Sequence, residues 1–165
     1  MQQTTTRSTD LEYFLKGKPL LPLLLGALLL APASFGQLRE RLRERAEKGD
    51  AEAQFELAKM YETGRGGLTK NFAEAERLYR LSAEQGDVFA QASLAILYRF
   101  GKGVPQDFVQ AYVWFSIAAS RATGGEYDSI AEMRDFAAAK MTAAQRAQAK
   151  RLINAWKPAP SKPVG

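Results

Sequence analysis

The chain repeats one phrase. Segment 46–82 reads AEKGDAEAQFELAKMYETGRGGLTKNFAEAERLYRLS, and segment 83–119 reads AEQGDVFAQASLAILYRFGKGVPQDFVQAYVWFSIAA. At an offset of 37, Gly49 falls on Gly86, Ala53 on Ala90, Leu57 on Leu94, Ala58 on Ala95, Tyr61 on Tyr98, and Gly64 and Gly66 on Gly101 and Gly103. Beyond the turn the offset becomes 36, so that Asn71 falls on Asp107, Phe72 on Phe108 and Ala75 on Ala111; the first turn carries one extra residue. A unit of this length cannot bury its apolar face alone, so a chain built from it must stack its units.

Each unit reads as two helices. Ala53, Leu57, Ala58 and Tyr61 share one helical face. Asp50 and Asp87 follow a glycine, where an N-cap belongs, and NFAE (71–74) and DFVQ (107–110) have the spacing of capping boxes. The alanines at 53, 58, 75, 90, 95 and 111 are small enough to let two helix backbones approach. Leu78, Tyr79, Trp114 and Phe115 fill the space between pairs. The aromatics recur at matching positions, which assigns them to a core rather than to a stacking platform for bases or sugars. Gly101 and Gly103 before a helix start resemble a phosphate cradle. They follow a helix rather than a strand, however, and no Lys-Ser/Thr signature accompanies them. Gly64, Gly66, Gly101 and Gly103 are therefore read as structural turns, where positive φ stops and reverses the chain.

The remainder supplies caps. Residues 37–48 form a charged cap helix with Leu38, Leu42 and Ala46 on one side and a solvated Arg/Glu face; 46–82 and 83–119 are the repeats. Residues 120–156 form a degenerate pair, with SIAE (129–132) and TAAQ (142–145) starting its helices, and 157–165 is a proline-rich tail expected to be disordered. The fold class is all-α, an α/α superhelical solenoid of antiparallel helix pairs. At the other end, Lys16 and Lys18 precede the apolar run from Leu20 to Ala31, followed by small residues. This is the layout of a signal peptide over 1–36, cleaved near Ala33 or Gly36; the rival is an uncleaved helical anchor.

Composition removes chemistry. With no cysteine and no histidine, thiol and imidazole nucleophiles and the zinc sites built from them are excluded. The carboxylates Glu126 and Asp128 lie in a Gly-Gly stretch with no base beside them. No catalytic residue, metal site or cofactor is assigned. A net charge of +5, with basic residues interleaved with acids, lacks the segregated footprint of a nucleic-acid binder.

The second unit, through Gly86, Ala90, Leu94, Ala95, Tyr98, Gly101, Gly103, Val104, Asp107, Ala111, Trp114, Phe115, Ala118 and Ala119, resembles the Sel-one-like repeat family, relatives of tetratricopeptide repeats. The first unit departs by its inserted residue, by Gly67 and by Leu78. The resemblance implies a non-enzymatic adaptor that holds a protein or peptide partner, in signalling, envelope assembly or secretion; together with the signal layout at the N-terminus, the expectation is an exported, periplasmic adaptor of the bacterial envelope that is monomeric without its partner. Membrane contact follows only if the first helix is uncleaved. Some cysteine-rich members are linked to β-lactam binding or hydrolysis, so the alternative is an envelope ligand-binding protein or hydrolase acting on peptidoglycan or β-lactam. A chain without cysteine does not inherit that activity. By analogy with tetratricopeptide repeats, the first helix of each pair lines a concave groove. This nominates Glu52, Phe55, Lys59 and Glu62 in the first unit and Phe89, Ala92, Ile96, Arg99 and Phe100 in the second, unless the C-terminal pair covers them.

Overall fold

The computed structural model describes residues 36–159. The expected export segment, apart from its last residue, and the tail beyond Ala159 lie outside the described residues. Seven helices follow in order: α1 (36–47), α2 (Ala51–Thr63), α3 (Phe72–Glu84), α4 (Val88–Phe100), α5 (Phe108–Ala119), α6 (Gly124–Ala139) and α7 (Ala143–Ala155), with no strand among the described residues.

Helix starts follow the expected chemistry. Asp50 accepts the N–H of Ala53 at 3.1 Å and Asp87 that of Ala90 at 2.7 Å. Asn71 accepts from Glu74 at 3.1 Å, and Asp107 from Val109 and Gln110 at 2.8 and 3.0 Å. Each such cap contributes about 1 kcal/mol. The capping boxes expected at 71–74 and 107–110 form only by half. The N–H groups of Asn71 and Asp107 already donate to Tyr61 and Tyr98 carbonyls at 2.9 and 3.0 Å, so Glu74 turns forward to Arg77 instead, at 2.6 Å. Thr142 has no such competing bond, and there the box with Gln145 is complete.

Helix ends repeat as faithfully. Gly64 and Gly101 close α2 and α4 with φ of 74° and 66°, in the left-handed region that side chains with a Cβ disfavour. Gly103 is constrained further, since a Cβ there would stand 2.4 Å from the Phe72 carbonyl oxygen. The second turn thus rests directly on the start of α3.

Packing proceeds from pair to pair: α2 on α3, α3 on α4, α4 on α5. The alanines at 53, 58, 75, 90, 95 and 111 are wholly buried, as are Leu94, Leu97 and Phe115, with Tyr79 and Leu78 nearly so. Two buried polar residues stitch the units. Gln54 donates to the Ala46 carbonyl and Gln91 to the Ala83 carbonyl, both at 3.0 Å. These carbonyls close α1 and α3 respectively, so α1 occupies the place of a second helix in a preceding unit. Buried amides of this kind stabilise only while they are hydrogen-bonded.

The C-terminal region is less regular. The degenerate C-terminal pair was expected to begin at Ser129, but α6 begins at Gly124 after an N-cap, Thr123, whose side chain makes no cap bond. Ser129 lies inside the helix, its hydroxyl donating back to the Gly125 carbonyl at 3.0 Å, a bond that suits a helical interior as well as a cap does. Both α6 and α7 pack on α5, burying Ile130, Ala137, Met141 and Ala149. Trp156 meets Trp114 edge to face at 6.4 Å. Residues 157–159, the first part of the expected tail, then run back to the α3–α4 turn, where the Ala159 N–H donates to the Glu84 carbonyl at 2.7 Å.

Candidate partner-binding groove

The residues nominated on α2 and α4 separate into two ends. At the first, the Phe55 ring lies 5.8 Å from Tyr79 and 6.1 Å from Phe89. Lys59 stands 5.0 Å over Phe55 while its ammonium pairs with Glu56 at 3.0 Å. Glu52 is exposed and paired with Arg45 at 3.3 Å. Glu62 does not face a partner freely, because it accepts the Tyr79 hydroxyl at 2.7 Å. Burial, and then this bond to a carboxylate, push the Tyr79 phenol above its ordinary range. The charges of the first unit are thus largely committed within the chain.

At the other end Phe100 is 56% exposed, and Phe89 farther up the same helix is 58% exposed; the C-terminal helices do not cover them. Ala92, Ile96 and Arg99 are half-buried beside them. The Arg99 guanidinium lies 5.0 Å from the Phe100 centroid and 4.1 Å from that of Phe136 on α6. Its Nε is buried with no hydrogen-bond partner.

Other candidates settle differently. Glu126 and Asp128 belong to the first turns of α6, not to a loop. No group of three carboxylates, cysteines or histidines able to hold a metal occurs among the described residues. In the turns, the N–H groups of Gly64 and Arg65 donate to Met60, and those of Gly101 and Lys102 to Leu97. Amides spent on closing a helix do not point at a phosphate. A cleft of about 270 Å³ opens between α1, α2 and α3, bordered by Arg43, Leu57, Tyr61, Arg77 and Leu81.

Comparison with known proteins bears on this arrangement directly. The Sel1 repeat profile matches residues 51–87 and 88–122. A solved protective antigen of uropathogenic Escherichia coli displaying an SLR fold is similar over 72% of this chain, with 34% identity and a TM-score of 0.65. A Sel1 repeat protein from Oxalobacter formigenes is similar over 70%, with 25% identity and a TM-score of 0.50. The protein carries two Sel1 repeats. This chain spans 24% of the first neighbour and 52% of the second, and no curated protein matches it.

The matched Sel1 repeats begin at α2 and α4, five residues inside the units drawn from the sequence, so the capping aspartates precede each matched segment. Sequence reasoning missed two sets of residues. Gln54 and Gln91 carry the stitching bonds, and their signal was present: glutamine stands at the same offset in both units. Phe136, on α6 beyond the matched repeats, is 43% exposed. It lies 37 positions after Arg99, as Arg99 does after Glu62, and its ring meets the Arg99 guanidinium.

Proposed function

We propose that this protein is a non-enzymatic adaptor of the bacterial cell envelope, exported by its N-terminal segment, whose Sel1 repeats hold a peptide or protein along the face of α2 and α4. Sel1 repeats are generally protein-interaction scaffolds, and both solved neighbours are bacterial. The observation that carries the reading is the exposure of Phe89 and Phe100 on one helix that buries Leu94 and Leu97 wholly and Ile96 by half. Large rings left exposed on a helix and rimmed by charge are a frequent mark of an interaction surface. The occupant is centred on Phe55, Ile96, Arg99 and Phe100. Export rests on the basic flank and apolar run ending at Ala31; among the described residues no helix is long and apolar enough to cross a membrane.

A photo-crosslinking amino acid at position 100, used in cells and followed by mass spectrometry, should capture a defined envelope protein, and N-terminal sequencing of the same sample reads the cleavage point. If Phe100→Ala and Ile96→Ala unfold the protein rather than leave a folded chain with weaker capture, these side chains are core and the groove reading fails.

A further inference from the structure

Cations and aromatic rings alternate along the Phe100 end of the groove. Lys140 Nζ lies 5.5 Å from the Phe136 centroid, and Arg99 bridges Phe136 and Phe100. Lys102 Nζ lies 5.5 Å from Phe100 and 5.4 Å from Phe72, and Lys70 Nζ 4.7 Å from Phe72. The row joins α6, α4 and the start of α3. None of its four cations forms an ion pair with an acid among the described residues, whereas Arg45, Arg77 and Arg80 do.

The rings position these cations but leave their charge uncompensated. Arg99 adds a second deficit, since its buried Nε has no acceptor. A ligand that fits must bring anionic acceptors at intervals, together with apolar groups for the exposed edges of Phe100 and Phe136. Nucleic acid brings anions too, but it binds such surfaces by stacking bases on open rings. Here the protein's own cations lie over the rings of Phe72, Phe100 and Phe136. Carboxylates reach those cations without needing a ring face.

We propose that the row from Lys140 through Arg99 and Lys102 to Lys70 docks an acidic peptide segment in which Asp or Glu alternate with apolar residues. The proposal rests on the groove reading above and names the chemistry of its occupant.

The test is fluorescence anisotropy of the purified protein with labelled peptides of six Glu-Leu, Gln-Leu or Lys-Leu repeats, beside a twelve-nucleotide oligothymidine and phosphatidylglycerol vesicles. The Glu-Leu peptide should bind in preference to the others and weaken as salt rises. The double variant K102E/K140E should bind it about tenfold more weakly, as expected when two exposed pairs are lost and reversed. Lys102 and Lys140 are exposed, and an unchanged melting temperature shows that the variant folds. Equal binding of Glu-Leu and Gln-Leu peptides, unaffected by K102E/K140E, overturns the acidic assignment and leaves the groove reading standing. Tighter binding of oligothymidine or vesicles than of the Glu-Leu peptide overturns it in favour of those ligands. Failure of all three peptides overturns the assignment and counts against the groove as well.

Discussion

The two Sel1 repeats share a skeleton and differ in surface. Both use an aspartate to start the first helix, a buried glutamine to tie it to the preceding helix, a left-handed glycine to end it and an Asn or Asp to start the second. Groove positions diverge. Where the first repeat has Glu52, Lys59 and Glu62, the second has Phe89, Ile96 and Arg99, and the charges of the first are held by Arg45, Glu56 and Tyr79. The caps, the stitching glutamines and the small residues between helices are thus duplicated, although Leu78 and Tyr79 give way to Trp114 and Phe115. Residues that face outward are not duplicated, which is how one backbone repeat can be kept while its surface is specialised.

Matched substitutions test how far this equivalence extends. The largest difference is expected in the core. Leu94 is wholly buried, so Leu94→Ala should destabilise by about 2–5 kcal/mol. Leu57 borders the cleft beside α1, so Leu57→Ala should cost clearly less, read as the shift in urea midpoint. Equal losses would show that the cleft does not relieve the site.

The turns come next. At Gly103 an added Cβ meets Phe72 backbone at 2.4 Å, whereas at Gly66 it meets the mobile end of Met60. Gly103→Ala should cost about 2–3 kcal/mol, as for a strained backbone with nowhere to move. Gly66→Ala should cost about 1 kcal/mol from its positive φ alone. Thermal melting of the pair separates the two contributions.

A smaller effect distinguishes the caps by pH. Burial raises the Asp50 carboxyl, but the Ala53 N–H and the Arg45 guanidinium outweigh it and hold the group below its ordinary range. Its contribution is therefore present above the unfolded carboxyl value, about pH 4, and is lost as pH falls through the lower folded value. Asp50→Asn should flatten the acid limb of the stability curve, as followed by helical circular dichroism. An unchanged limb would show that the Arg45 pairing, at the surface and screened by salt, adds nothing. The smallest effect on stability belongs to the groove. Phe100→Ala should change it by less than about 0.5 kcal/mol while weakening partner capture, the reverse of what Phe115→Ala should do.

How much of this was legible follows the same division. Caps, turn glycines, buried alanines and the core aromatics were readable because their periodicity is written twice. The start of α6 was misplaced because Ser129 has the composition of a cap, and only the continuing backbone of Gly124 to Asp128 shows that the helix has already begun. Half of each expected capping box was lost to the Tyr61 and Tyr98 carbonyls, partners that exist only once the chain has reversed. Phe136 escaped because the third unit is too degenerate for its register to be read without α4 beside it. The export segment lies outside the described residues and stays with the proposal.

The bond from the Ala159 N–H to the Glu84 carbonyl changes what kind of object the array is. Stacked repeats ordinarily open from their ends, each unit leaning only on its neighbour. Here Ala159, the last described residue, is fastened at the junction between the two repeats, and Trp156 is set against α5 on the way. Pulling on Ala159 would therefore load the middle of the molecule first. The last helix should exchange its amide protons at a rate close to that of α5, and removing residues 157–165 should restore the fraying expected of a free end.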